Sequence, residues 1–526
     1  MIRNLGVVSL MLSTLACLSA TGQSIDSLSP IPAPLLRLGV GDSVRFLVTA
    51  EGRLFSWLGT VPNKKPAPFE PPTEVSGEDW ALALDDAAEN YSEPGTRSPL
   101  SSHEGPTRTG SSKEVAVVIA NSPQFADKAG NPGPPQFQGI GPKEGAPAIA
   151  MDGPPSLIPN PSATETHSRA NRTCTGVPSI AITRGGRFWV AWYSGTTPGA
   201  KIESCPNAYV VVSTSADGGT TWKEVLAIDP DGPGPLKAVD PRPWVDPEGG
   251  LWIIWHMTIS GWSYTYQFKK AWAITAGDGE NENPSWSQPR HIADGVMLNK
   301  PVVLSNGDWL FTAHDRKTLD VSLLKAVVSD DKGRTFNIRG AIEVSQDLHA
   351  IEPMTVERKD GSLWMLIRTG HAGHPESAQG IYESVSTDRG ATWGPLKPSA
   401  IKHTASRFYI GRLQSGNLLL VKHSGIDVDP ASQGKKQRRE LTAFISQDDG
   451  RSWSSGLVVD ERIGCTYPDA QQTADGTIYL TWDFQRSSEQ EILLTTFREE
   501  DVLAGSAEAM ARVKTNRRLV SKGGVE

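Results

Sequence analysis

Ser215-Ala216-Asp217-Gly218-Gly219-Thr220-Thr221-Trp222 returns as Ser329-Asp330-Asp331-Lys332-Gly333-Arg334-Thr335-Phe336. It returns again as Ser386-Thr387-Asp388-Arg389-Gly390-Ala391-Thr392-Trp393 and as Ser446-Gln447-Asp448-Asp449-Gly450-Arg451-Ser452-Trp453. The shared unit is Ser-x-Asp-x-Gly-x-Thr/Ser-aromatic, and its Asp residues are 114, 57 and 60 positions apart. Because 114 is twice 57, a decayed copy is expected between the first two, near Asp278–Trp286. Each unit reads as a hairpin turn: Ser and Asp bond the turn backbone, Gly admits positive φ, and the aromatic fills a gap between sheets. Four copies in register predict a repeat fold.

A second pattern runs between these turns. Six segments show a Pro (Phe408 in the fifth), a short strand, a Gly turn and a strand rich in Trp and Leu: Val177-Pro178…Gly186…Tyr193, Asp240-Pro241…Gly249…His256, Lys300-Pro301…Gly307…His314, Glu352-Pro353…Gly361…Arg368, Arg407-Phe408…Gly416…His423 and Tyr467-Pro468…Gly476…Asp483. Each reads as the two inner strands of one blade. Together they predict an all-β chain whose residues 165–500 form a six-bladed β-propeller.

Composition agrees. Gly 51 and Pro 39 together make 90 of 526 residues, too much punctuation for a helical bundle or a doubly wound sheet. Fourteen of the 16 Trp lie from Trp189 onward, within the repeats. The formal charge of −8 gives no electrostatic case for nucleic-acid binding. By contrast, 21 of the 39 Pro fall between Pro30 and Pro161, so residues 23–164 read as a Pro-rich, partly disordered extension. Within it Ser43–Leu58 and Glu114–Ala120 read as short strands and Pro62–Ser112 as a linker.

Residues 1–22 have the layout of a signal peptide: Arg3, an apolar run from Leu5 to Leu18, then Ala20-Thr21-Gly22. That implies a secreted or periplasmic protein. Thr14-Leu15-Ala16-Cys17 is a poor lipobox, and no later segment is long and apolar enough to span a bilayer. Cys174, Cys205 and Cys465 would remain, enough for one disulfide at most. Residues 501–526 read as a tail with a short helix. His371-x-x-His374 is a loop pair without a carboxylate partner, so neither a metal nor a cofactor is expected.

In each hairpin the start of the first strand and the end of the second return to the same end of the sheet. The residues before Pro, or before Phe408 in the fifth segment (Val177, Asp240, Lys300, Glu352, Arg407, Tyr467), and the seventh residues after Gly (Tyr193, His256, His314, Arg368, His423, Asp483) should therefore ring one mouth of the channel. Structural repeats normally carry apolar residues at equivalent core positions. A converging set of Lys, Arg, His, Tyr and Glu instead suits an anionic substrate.

The four turns resemble the Asp boxes of the sialidase (neuraminidase) superfamily of six-bladed propellers. Thr466-Tyr467-Pro468-Asp469 resembles the segment that holds the family's nucleophilic Tyr, and Glu352 occupies the place of the Glu that activates it. Arg368 resembles the second Arg of the carboxylate-binding triad, and Arg438 or its neighbour Arg439 the third. Two positions depart from the pattern. Gly176 stands where the first triad Arg is found, leaving Arg172 as a substitute if its loop folds back, and the loop Ser194–Ala208 holds Glu203 in place of the acidic Asp.

The resemblance implies an enzyme that removes a terminal acidic sugar from a glycan. Tyr467 would be the nucleophile, Glu352 its base, Glu203 the acid, and Arg368, Arg438 and Arg407 the carboxylate clamp. Lys300, Asp240, His256, His314 and His423 would line the site. A Tyr suits a substrate with a carboxylate on its anomeric carbon, because a carboxylate nucleophile would be repelled by roughly 4 kcal/mol. Two alternatives stand beside this reading. One is a propeller lyase acting on uronate linkages, of the rhamnose–glucuronate kind, with a mouth His or Tyr as base; the other is a glycan-binding propeller without catalysis.

Overall fold

The chain forms two units, residues 1–151 and 152–526. The computed structural model describes the first through the backbone of five strands, Asp42–Val48, Leu54–Thr60, Thr73–Val75, Ala116–Ile119 and Gln136–Gln138. It describes the second from 153 to 525, except 198–204, 206, 233–235, 260–268, 318–320, 346–347, 371–379 and 426–437. The signal-like segment 1–22, Glu203, the His371/His374 pair and all of the linker but Thr73–Val75 lie outside the described residues.

The first unit is one antiparallel sheet. Asp42–Val48 lies at its centre, between Leu54–Thr60 and Ala116–Ile119, with Thr73–Val75 and Gln136–Gln138 at the edges.

The second unit is a six-bladed β-propeller. Its six innermost strands are Cys174–Ile182, Leu236–Val245, Val302–Val303, Ile351–Glu357, Tyr409–Arg412 and Cys465–Gln472. The second strands, Phe188–Gly195, Leu251–Ile259, Trp309–Arg316, Leu363–Arg368, Leu418–His423 and Ile478–Phe484, pair antiparallel with them. The six turns that join these pairs carry Gly186, Gly249, Gly307, Gly361, Gly416 and Gly476, all at positive φ between 80° and 96°.

The propeller extends past the expected bounds of 165 and 500. Ser156–Pro159 adds a fifth, outermost strand to blade 1, and Arg518–Lys522 forms the outermost strand of blade 6. The expected C-terminal tail is thus two helices, α1 (Glu499–Ala504) and α2 (Ala507–Thr515), followed by that strand. The helices fill the connection that an Asp box fills elsewhere. Among the described residues no helix is long and apolar enough to cross a membrane.

The Asp boxes join the third and fourth strands of blades 1, 3, 4 and 5. In blade 4, Asp388 accepts from the Thr392 amide at 2.8 Å and its hydroxyl at 2.6 Å, while the Gly390 amide donates to Ser386 Oγ at 2.8 Å. The other three boxes repeat this set. Gly450 shows why that position is fixed: its φ is +89°, and an added Cβ would sit 2.3 Å from the Trp364 ring of the preceding blade. The boxes therefore pack one blade onto the blade before it. The decayed copy keeps this role, since Asp278 still accepts from the Ser285 amide and Trp286 meets Trp189 of blade 1 edge-on at 5.7 Å.

These turns carry a pH signature. Hydrogen bonds from Thr335, Thr392 and Ser452 hold the carboxyls of Asp331, Asp388 and Asp448 down at about 2. In the unfolded chain they titrate near ~3.9. Their folded values are depressed, so their contribution to stability is complete above about pH 4 and is lost as pH falls toward 2. The melting temperature is expected to drop over that interval, and to drop less steeply in Asp388→Asn. Circular dichroism melts from pH 5 to 2 check this, and equal slopes in the two proteins would contradict it.

Candidate active site

Val177, Asp240, Glu352 and Tyr467, each directly before its Pro, have φ between +53° and +59°. At each the inner-strand register slips: Gly176 pairs with Tyr193 but Ser179 with Ala191, and Thr466 with Asp483 but Asp469 with Thr481. Two residues therefore oppose one, which makes a β-bulge. Left-handed backbone is costly for a side chain that is not Gly, and stored strain of this kind clusters at functional sites. The partner opposite the residue before each bulge is the seventh after the Gly turn, namely Tyr193, His256, Arg368 and Asp483. The two sequence positions expected at one mouth do meet there.

Two of the bulges bring the central pair together from blades 4 and 6. The Tyr467 hydroxyl donates to Glu352 Oε1 at 2.8 Å. Arg368 Nη1 donates to the same carboxylate oxygen at 2.7 Å and to the Tyr467 oxygen at 3.0 Å. All three are buried. Burial and the Glu352 charge push the Tyr467 phenol up to about 12, against the pull of Arg368, Arg486 and Arg438. Burial works against the Arg368 charge too, yet the adjacent Glu352 carboxylate holds that guanidinium more firmly protonated than usual.

Arg438 and Arg486 complete the cationic surround. Arg486 stacks on the Tyr467 ring, 4.1 Å from its centroid. Its Nε donates to Asp483 at 3.0 Å and its Nη2 to Thr466 Oγ1 at 2.6 Å. Arg438 donates to the Ala405 carbonyl at 2.8 Å; burial and the nearby Arg368 lower its affinity for a proton. Arg486 was not among the residues read from sequence. It follows blade 6's second strand, outside the aligned positions, and its one signal is the Asp483-x-x-Arg486 spacing. Arg172 does not reach this mouth: its Nη1 and Nη2 donate to Glu224 at 2.9 and 2.6 Å in blade 1.

The three histidines have a different task from the expected one. The Met297 amide donates to His256 Nε2 at 2.7 Å, the Glu352 amide to His314 Nδ1 at 3.2 Å, and His423 Nε2 donates to the Cys465 carbonyl at 2.8 Å. Asp483 closes the series by accepting from the Val177 amide at 2.7 Å. Each side chain lies at or near the end of one blade's second strand and ties it to backbone beyond that blade. They are latches that support the mouth, and burial lowers His423 to about 3, leaving it neutral.

Arg407 and Lys300 also point elsewhere. Arg407 is fully buried, donating from Nε to Leu298 O at 2.8 Å and from Nη1 to Pro468 O at 2.5 Å. Lys300 donates to Ala470 O at 3.0 Å and pairs with Asp469 at 2.9 Å. Both belong to the channel beneath the mouth, so neither joins the Arg368, Arg438 and Arg486 group. Asp240 stays at the mouth, 3.8 Å from His256 Nδ1, where burial raises its carboxyl but His256 and the charges of Arg242 and Arg486 hold it below its ordinary value. Cys174 and Cys205 are both buried, and a hydrogen bond with Cys174 draws the Cys205 thiol down to about 6.

A six-bladed propeller with Asp boxes and a buried Tyr–Glu pair under three arginines defines a sialidase-like protein. Residues 186–480, more than half of the chain, match the BNR repeat-like domain family, and the chain belongs to that family. Among solved structures, the Hadza microbial sialidase is 15% identical and aligns over 88% of this chain and 94% of its own, with a TM-score of 0.50. A Dyadobacter fermentans protein of unknown function is 18% identical over 61% of this chain and 92% of its own, at a TM-score of 0.48. Trypanosoma rangeli sialidase in complex with sialic acid is 15% identical over 64% of this chain and 55% of its own, at 0.46. No curated protein matches the chain.

Proposed function

We propose that this chain is a glycoside hydrolase that removes a terminal carboxylate-bearing sugar, of the sialic acid class, from glycans outside the cytoplasm. The observation that carries the reading is the 2.8 Å hydrogen bond from Tyr467 to Glu352 with three arginines around it. Arg368, Arg438 and Arg486 hold the substrate carboxylate by charge-assisted hydrogen bonds. Tyr467 Oη attacks the anomeric carbon as its proton passes to Glu352, and the bond to the departing glycan oxygen breaks. An acid, for which Glu203 is the candidate, gives that oxygen a proton. Water then attacks the anomeric carbon and gives a proton back to the acid, while the sugar–Tyr467 bond breaks and Glu352 returns its proton to the phenol oxygen.

A lyase would need a mouth His or Tyr to take a proton, and burial with the Glu352 charge keeps the Tyr467 phenol protonated, up at about 12. His256 and His314 each use a ring lone pair on a backbone amide, and His423 is held to about 3. The hydrolase reading is tested by incubating the chain with sialyl-capped and uronate-capped oligosaccharides. Release of free sialic acid is expected. Ultraviolet absorbance from an unsaturated uronate, or binding without product, would overturn the reading.

A further inference from the structure

The channel beneath Tyr467 holds a pair of arginines that the proposed reaction does not use. Arg242 and Arg407 are both fully buried and bonded alike. Each donates from Nε to the same carbonyl, Leu298 O, at 2.9 and 2.8 Å. Each donates from Nη1 to the carbonyl of a Pro that follows a bulge, Pro241 at 2.6 Å and Pro468 at 2.5 Å. In each the Nη2 group has no hydrogen-bond partner among the described residues. Two like charges thus share one acceptor out of water, with one nitrogen apiece that makes no hydrogen bond, although Arg407 Nη2 is ion-paired with Asp469 Oδ1 at 3.7 Å. Buried donors without hydrogen-bond partners are expensive, and structures rarely leave them so.

Carboxylates offset part of this charge: Asp240, Asp469 and Glu352 all act on Arg242, but no carboxylate accepts a hydrogen bond from either Nη2 group among the described residues. Lys300 is a third cation in the channel, and Asp469 is the carboxylate beside it. Asp469 already accepts from Ser179 Oγ at 2.6 Å and the Ile180 amide at 3.0 Å, and its other oxygen lies 3.7 Å from Arg407 Nη2. Burial, and next the charge of Arg407, lower Arg242 to about 9. A cavity approaches the pair, with Lys300 and Asp469 between it and the two guanidiniums, neither of which lines it. On the face of the ring opposite Tyr467, this cavity of about 420 Å3 is lined by Lys300, Asp469, Asn299 and Thr355 beneath a rim that includes Val245 and Val303. Asn299 Oδ1 and Thr355 Oγ1 are buried and likewise have no partner among the described residues.

We infer that the channel core binds a small monovalent anion of the halide class, held by the Nη2 groups of Arg242 and Arg407 and reached past Lys300 from this cavity. Such an ion satisfies two stranded donors at once. It is distinct from the substrate carboxylate, which the proposed reaction places on Arg368, Arg438 and Arg486.

Crystals of the full chain soaked in bromide test this through anomalous scattering, alongside melts in chloride and in gluconate at one ionic strength. Bromide density at hydrogen-bonding distance from both Nη2 groups is expected, with a melting temperature higher in chloride by on the order of 2 °C. Arg407→Met should erase the difference between the two salts, and Lys300→Met, at the cavity wall, should weaken it if the first variant does not fold. Water without anomalous signal at the pair, bromide only at the surface, or equal melting temperatures in the two salts would overturn the inference.

Discussion

Tyr467→Phe is expected to lower kcat on a sialoside by about 10³-fold or more, some 4 kcal/mol of barrier, while KM stays within a few fold. The hydroxyl contacts Glu352 and Arg368 alone among the described hydrogen bonds, and the ring remains for Arg486 to stack on. Glu352 and Arg368 keep each other at 2.7 Å after the change, so no charge is left buried without a partner. The fold should lose no more than about 1–3 kcal/mol, the worth of a hydrogen bond to charged groups. Steady-state kinetics with an aryl sialoside, together with inhibitor binding to the variant, separates chemistry from binding. A variant as active as the parent would remove Tyr467 from the reaction, and equal loss of binding and turnover would make it a structural residue.

Glu352→Gln should also cut kcat, by roughly 10²–10⁴-fold, because the amide cannot accept the phenol proton. This change has a second, opposite signature. The Glu352 charge is one of the causes that push Tyr467 up to about 12, so its removal should lower the phenol while burial still holds it up. Phenolate absorbance of Glu352→Gln, corrected by the double variant that also carries Tyr467→Phe, reads that residue among the chain's 9 Tyr. A lower phenol pKa together with slower turnover identifies Glu352 as a base. An unmoved phenol would mean that the carboxylate does not act on Tyr467 electrostatically.

The fold was legible because its determinants are local. An Asp box specifies its turn within eight residues, and each Gly at positive φ marks a turn of its own. The central pair was legible for the same reason: Tyr467 and Glu352 occupy repeat positions, and six copies fix where such positions lead. What a position leaves open is the direction of a side chain. His256, His314 and His423 sit where the pattern puts them, but their ring nitrogens turn to backbone beyond the blade. Arg407 occupies a mouth position in the alignment, yet blade 5 has Phe408 in place of Pro, and Arg407 is absent from the positive-φ residues that include Tyr467. Its guanidinium enters the channel. Arg486 escaped because it follows the last repeat position instead of occupying one. The outer strands Ser156–Pro159 and Arg518–Lys522 are short, and each pairs with a strand well away in sequence, so no local pattern announces them.

The ring has one seam, where blade 6 meets blade 1. Ser179 and Ile180 bond Asp469, Ile182 and Gln471 bond each other twice, and Val177 bonds Asp483. The strand that supplies Asp469 and Gln471 also carries Tyr467. On a ribosome the first blade emerges nearly 300 residues before this strand, so the seam contacts have the greatest loop closure to overcome and are among the last available to the growing chain. A chain that has made blades 1 to 5 already holds Glu352 and Arg368 but lacks Tyr467, the nucleophile of the proposed reaction. If the proposed reaction holds, chemical competence arrives only with the final turn of the circle, and a product truncated before blade 6 is expected to be inert.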